Sequence, residues 1–277
     1  MGPIVVGVDG SAGSAAAVGW AAGCAQASGS DLLLVSVVAH ECDAADTEVL
    51  LEGEWAQPAS RAGCPTDARV VVGDPRLALP EVASDVRAML LVVGTGSERW
   101  FPALHLGSTS HYLAHHTDRP LAVIPAGQDR YDASHIVVGV DGSAGSAAAV
   151  GWSNRLALVS GGKATAVLAW AASPARLAGA STVNSQEEAD DACRRGAGLL
   201  EASGVLLGCR VRAGDPVAVL ASAVDEEGAA ILVLGTRGHG GFLDLRLGSV
   251  ALRLLQGAAV PTVLVPPVGS FSASGRG

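Results

Sequence analysis

A long, nearly perfect internal repeat constrains this 277-residue chain more than any other feature. Ile4-Val-Val-Gly-Val-Asp9-Gly-Ser-Ala-Gly-Ser14 returns as Ile136 to Ser146, and the identity runs on through Trp20 and Trp152, 132 positions apart. Further along, Gly73-Asp74-Pro75 returns as Gly214-Asp215-Pro216 and Gly94-Thr95 as Gly235-Thr236, now 141 positions apart, so the second copy carries nine extra residues in between. Units of this size are too long for a solenoid and suit a duplicated globular domain. We expect one domain over residues 1–127 and a second over 134–268, joined by the polar stretch Ala126 to Ser134 and followed by a disordered tail at 269–277.

Within each copy, apolar runs rich in β-branched residues alternate with helical segments. The expected strands are Ile4–Asp9, Asp31–Val38, Ala68–Val72, Met89–Gly94 and Leu121–Pro125. In the second copy they are Ile136–Asp141, Thr165–Trp170, Cys209–Arg212, Ala230–Gly235 and Thr262–Pro266. Strands apolar on both faces belong to parallel sheets covered by helices on both sides, which makes the fold class α/β: two tandem doubly wound, five-stranded, Rossmann-like domains. Hydrophobic residues are 49% of the chain but aromatics only 4%, so Ala, Val and Leu must fill the core around few anchors, and Trp20 and Trp152 are expected to point at the sheet. Ser14 and Ser146 read as helix N-caps, Pro75 and Pro216 as first helical residues, and Pro80 as a kink inside its helix.

Charge and cysteine usage exclude several classes. With 27 acidic against 18 basic residues and a net charge of −9, no basic footprint exists for nucleic acid or an anionic membrane. No apolar run is long enough to span a bilayer and the start lacks signal-peptide character, so a cytoplasmic protein is expected. Five scattered cysteines without a C-x-x-C pair argue against a disulfide framework or a zinc site, although exposure of Cys42 or Cys64 would make a redox handle. His111 and His115 stand four apart on a helix, but without the Glu of a zinc-protease motif they read as a solvated or interface face.

Doubly wound sheets bind ligands beyond the carboxyl ends of their strands, which nominates Asp9 and Asp141 after strand one and the glycine-rich segments from Gly94 and Gly235 after strand four. Asp9 and Asp141 equally suit plain turn capping. Gly235-Thr-Arg-Gly238-His-Gly-Gly-Phe-Leu-Asp-Leu-Arg-Leu-Gly248-Ser249 would let backbone N–H groups approach a polyanion, with a helix N-terminus at Ser249. The single lysine, Lys163, precedes a strand and lacks a following Ser or Thr, which excludes a P-loop. Backbone dipoles are left as the phosphate binders.

These residues resemble the universal stress proteins, in the tandem form found in actinobacteria. The family's motif of Gly, two residues, Gly, nine residues, Gly and Ser or Thr is met by Gly235, Gly238, Gly248 and Ser249, and the Asp-Gly-Ser, Gly-Asp-Pro and Pro-Thr-Val-Leu-Val-Pro segments also match. The resemblance implies strand order 3-2-1-4-5, pairing of domains through their last strands, a possible homodimer, and ATP bound with magnesium or manganese. It further implies a regulatory role in stress, dormancy or growth arrest, exercised on a protein partner.

Carried over by position, Asp141 would lie at the adenosine and metal side, backbone at Trp170 would border adenine, Gly214 and Pro216 would shape the ribose pocket, and Gly235, Gly238, Gly248 and Ser249 would hold phosphates. The first-copy counterparts are Asp9, Val37, Gly73, Pro75, Gly94, Gly107 and Ser108, but Ser97 replaces the second glycine of the motif and Glu98, Arg99 and Trp100 replace His239, Gly240 and Gly241. The first site is therefore expected to bind weakly or not at all. No catalytic residue is nominated, and any ATP hydrolysis should be slow. A nucleotide-free interaction scaffold and an adenine-nucleotide hydrolase-type enzyme stand as alternatives.

Overall fold

The computed structural model describes residues 2–95, 107–170, 186–238 and 247–267. Its first half runs β1 (Ile4–Gly7), α1 (Ala12–Ser28), β2 (Leu32–Val38), α2 (Ala44–Glu52), α3 (Gln57–Arg61), β3 (Thr66–Val72), α4 (Pro75–Asp85), β4 (Leu90–Gly94), α5 (Ser108–His116) and β5 (Leu121–Ile124). The second half runs β6 (His135–Gly139), α6 (Ala144–Ser160), β7 (Lys163–Trp170), α7 (Gln186–Ala202), β8 (Leu206–Ala213), α8 (Pro216–Glu227), β9 (Ile231–Gly235), α9 (Ser249–Gln256) and β10 (Thr262–Val265). Each half is a parallel sheet of the expected order, and the two join into one ten-stranded sheet, β3-β2-β1-β4-β5-β10-β9-β6-β7-β8.

The join is the single antiparallel ladder of that order, with Thr262 opposite Val123, Val263 opposite Ala122 and Leu264 opposite Leu121. All four residues of β5 and all four of β10 are buried, so the seam is core and not a contact between surfaces. Each half covers the exposed last strand of the other, which removes two edges that would otherwise pair with foreign chains.

Strand alternation splits the core in two. Ile4 and Val6 face Trp20, Leu51, Trp152 and Cys193 from α1, α2, α6 and α7. Val5 faces the opposite way, toward Leu79, Leu113, Leu220 and Leu254 from α4, α5, α8 and α9. Trp20 and Trp152 are buried against the sheet as expected. Among the described residues no helix is long and apolar enough to cross a membrane.

One expectation needs correction. The N-caps of α1 and α6 are Ser11 and Ser143, whose hydroxyls accept from the Ser14 and Ser146 amides at 3.1 Å. Ser14 and Ser146 lie one turn inside and hydrogen-bond back to the cap carbonyl at 3.0 Å, because the left-handed Gly10 and Gly142 start each helix sooner than a pattern of apolar residues shows.

The linker Ala126–Ser134 is exposed over most of its length, yet it packs on α1. It crosses α1 at Gly19 and Gly23, where an added Cβ would lie 2.6 Å from the Asp129 carbonyl oxygen and 2.4 Å from the Tyr131 Cβ. Tyr131 meets Trp20 edge to face at 5.3 Å, and Ala133 is buried. The polar letters of this segment hid one aromatic anchor and a pair of glycines able to receive it.

Candidate functional site

In the second half the carboxyl ends of β6, β7 and β9 open on a cleft of about 760 Å³, mouth included. Val167 and Ala169 of β7, with Leu220 and Leu234, form an apolar wall, and Asp141, Thr236, Arg237, Gly238, Gly248 and Ser249 form a polar one.

The polar wall is built by close backbone approaches. A Cβ on Gly235 would meet the Gly145 carbonyl carbon at 2.4 Å, so the end of β9 reaches the first turn of α6 only without a side chain. The Ser143 hydroxyl donates to the Arg237 carbonyl at 3.1 Å, and the Gly248 amide donates to the Thr236 carbonyl at 2.8 Å. These two bonds hold Thr236, Arg237 and Gly248 together at the carboxyl end of β9. Among the described residues no side chain caps α9 at Gly248, and Ser249 and Val250 of its first turn line the cleft.

Asp141 sits where strand one hands over to its helix. Its Oδ1 accepts from the Ser143 amide at 2.9 Å, the turn-capping bond of an Asx turn, and its Oδ2 faces Gly238. Turn capping and a place in the cleft wall are thus both true of this residue. The twin Asp9 makes the same bond to Ser11 at 3.0 Å. Burial pushes the Asp9 carboxyl up, but hydrogen bonds from Ser11 and Ser14 outweigh it and hold it below the usual carboxylate range.

Of the nominated second-half residues, Asp141, Pro216, Gly235, Gly238, Gly248 and Ser249 share the cleft wall. Trp170 and Gly214 stand beside it. The Trp170 side chain is buried and its indole N–H donates to Gln186 Oε1 at 3.2 Å, while its carbonyl accepts from the Gly214 amide at 3.0 Å. Sequence reading missed Val167, Ala169, Leu220 and Arg237; the first two were legible only as alternate residues of a strand with unknown facing.

Pro216 opens α8 as Pro75 opens α4, at the first helical position. Arg253 of α9 makes a forked ion pair with Asp215, both contacts 3.3 Å, and so ties the loop of Gly214 and Pro216 to the glycine-loop helix. Tyr112 takes the place of Arg253 in the first half, where Asp74 turns instead to Arg76, whose guanidinium lies 5.9 Å from the Tyr112 ring centroid.

The first half differs in other ways. Ladder register pairs Val38 with Val72 as it pairs Trp170 with Ala213, so the counterpart of Trp170 is Val38 and not Val37. Gly94 repeats the close approach of Gly235, at 2.2 Å from the Gly13 carbonyl oxygen. The buried Ser110 hydroxyl donates to the Gly94 carbonyl at 2.9 Å, where the second half has Ala251, and Trp55 lies against Gly10. Gly73 precedes α4, and Gly107 and Ser108 begin α5. Ser97 to Trp100 and His239 to Gly241 lie outside the described residues. His111 and His115 stand with ring centroids 4.9 Å apart, and Cys64 is buried, which removes it as a redox handle.

The universal stress protein family model matches the chain twice, over residues 1–125 and 133–266. The chain belongs to the universal stress protein family. Universal stress proteins of Mycolicibacterium smegmatis and Mycobacterium tuberculosis are 29% and 30% identical to it, covering 95% and 94% of this chain and 97% and 95% of their own lengths. A universal stress protein from Archaeoglobus fulgidus, known from a crystal structure, superposes with a TM-score of 0.72 at 17% identity over 96% of this chain and 98% of its own. The tandem arrangement of two universal stress protein units, one per five strands, therefore describes this chain over nearly its whole length.

Proposed function

We propose that the second half binds ATP in the cleft between β6, β7 and β9, and that occupancy makes the protein a non-catalytic regulator in stress, dormancy or growth arrest. The observation that carries this reading is the pairing of an apolar slot, Val167 and Ala169, with a glycine cradle at Gly235, Gly238 and Gly248 leading into the N-terminus of α9. An apolar slot suits a purine, and backbone amides at a helix N-terminus suit phosphates.

The residues fit the nucleotide without a lysine, since Arg237 is the cation among the described lining residues. Among the described residues no three His, Cys, Asp or Glu side chains gather for a metal. Magnesium or manganese would therefore be held by Asp141 together with the phosphates, where it would neutralise phosphate charge. Gly214 and Trp170 contribute by holding the β7 and α8 ends in place beside the slot, and Pro216 by lining it. We assign the first half, at Asp9, Val38, Gly73, Gly94, Gly107 and Ser108, a weaker site or none. Phosphate bound at Gly238, Gly248 and Ser249 would change the surface at the cleft mouth, which a protein partner or a second copy would read.

Isothermal titration calorimetry with ATP and magnesium tests the reading. One site of micromolar to submillimolar affinity, lost in a second-half variant and kept in a first-half variant, supports it. Absence of heat at millimolar ATP overturns it and favours the nucleotide-free scaffold.

A further inference from the structure

We propose that Cys193 and Cys209 are a redox-active pair that closes into a disulfide when the protein meets a hydroperoxide. The two residues come from different elements and meet on the same face of the sheet. Cys193, on α7, is fully buried, with its sulfur 3.7 Å from the Ala166 carbonyl of β7. The β7–β8 ladder sets Ala166 directly opposite Cys209. Cys209 packs against the same apolar cluster that contains Cys193, so both side chains lie on the α7 side of the sheet.

The two thiols share one apolar environment on that face. Burial is the main cause that pushes the Cys193 thiol up, and the nearby Cys209 adds to it. The remaining cysteines have other surroundings: Cys24 is buried beside Tyr131 and pushed up to about 12, Cys64 is buried, and Cys42 is exposed beside Asp43.

Access decides the order of events. Cys209 is half-buried on β8, the edge strand of the sheet, whereas Cys193 is sealed by α7. The Cys209 sulfur, as thiolate, attacks one peroxide oxygen; the O–O bond breaks, a sulfenic acid forms, and the departing hydroxide takes a proton to become water. The Cys193 sulfur then attacks the Cys209 sulfur, the S–O bond breaks, and the Cys193 proton leaves with the hydroxide as a second water. Two thiols lose two electrons and two protons, and hydrogen peroxide is reduced to two waters.

The crosslink fastens α7 to the sheet edge. It also steadies the cleft from behind, because α7 backs it: a Cβ on Gly196 would lie 2.2 Å from Cγ1 of Val140, which lines the cleft. The pair works in this way whether or not the cleft takes a nucleotide.

The test treats the reduced full-length protein with stepwise equivalents of hydrogen peroxide, blocks remaining thiols with N-ethylmaleimide, and maps tryptic peptides by mass spectrometry. Cleavage at Arg194, Arg195 and Arg210 separates the two cysteines, so a crosslinked peptide pair identifies the bond. The expected result is a Cys193–Cys209 peptide pair released by dithiothreitol, with a melting temperature raised by about 5 °C or more in the oxidised protein. Cys209→Ala should abolish both the crosslink and the shift. Recovery of Cys193 and Cys209 as blocked thiols after Cys42 has oxidised would overturn the proposal, as would conversion of Cys209 to sulfinic acid without a crosslink. The wild-type peptide map decides the matter even if the variant fails to fold.

Discussion

A Cβ placed on Gly238 would stand 2.4 Å from Oδ2 of Asp141, so the glycine loop and the strand-one aspartate touch across the cleft with no room for a side chain. The carboxylate cannot swing away freely, because its Oδ1 holds the Ser143 amide at 2.9 Å. Gly238→Ala must therefore displace the loop. We expect ATP affinity to fall about tenfold, or ~1.4 kcal/mol, with an unchanged far-ultraviolet circular dichroism spectrum. An unaltered dissociation constant by calorimetry would count against the loop as the phosphate cradle.

Gly19 and Gly151 occupy the same position of the identical repeat, yet they should respond oppositely to alanine. A Cβ on Gly19 would lie 2.6 Å from the Asp129 carbonyl oxygen, whereas one on Gly151 finds only the Arg155 Nη1 at 3.9 Å. Gly19→Ala should destabilise by about 1–3 kcal/mol through overpacking. Gly151→Ala should stabilise by roughly 0.5–1 kcal/mol, the helix-propensity gain. Urea denaturation of the two variants checks both signs.

Leu264 and Leu121 face each other across the antiparallel seam and are fully buried. Leu264→Ala should cost about 2–5 kcal/mol. Because the seam is continuous core, both halves should unfold in one transition monitored by tryptophan fluorescence and circular dichroism. Two separate transitions in the wild-type protein would contradict this.

Asp9 supplies a pH dependence. Its carboxyl is held below the usual range in the fold, so the unfolded chain binds the proton more readily. Stability from this group is fully present above the ordinary carboxylate value near 3.8 and is lost as pH falls toward its lower folded value. Asp9→Asn should lower stability at pH 7 and flatten the acid limb of a stability profile below the ordinary carboxylate value near 3.8. Chemical denaturation across that range measures the difference; parallel profiles for the two proteins would rule the assignment out.

Much of this was legible in the letters. Ile4-Val-Val-Gly and Ile136-Val-Val-Gly begin strands where the apolar runs begin, since two-sided burial in a parallel sheet demands continuous apolar residues. Pro75 and Pro216 begin helices because proline lacks the amide that a first helical residue leaves unpaired. The cap positions were misplaced by one turn because Ser11 and Ser14 are the same residue type, and only the left-handed turn at Gly10 tells them apart.

The sequence by itself determined the duplication, the parallel strand pattern, the glycine motif from Gly235 to Ser249 and the exclusion of a P-loop, because those depend on local spacing and on residue type. Only the tertiary structure decided that ten strands form one sheet through β5 and β10, that Tyr131 rests on Trp20, that Val167 and Ala169 face the cleft, and that Cys193 and Cys209 share one face of the sheet. Each of these joins residues far apart in the chain. Such contacts are set by how helices and strands pack against one another, which no window of neighbouring residues encodes.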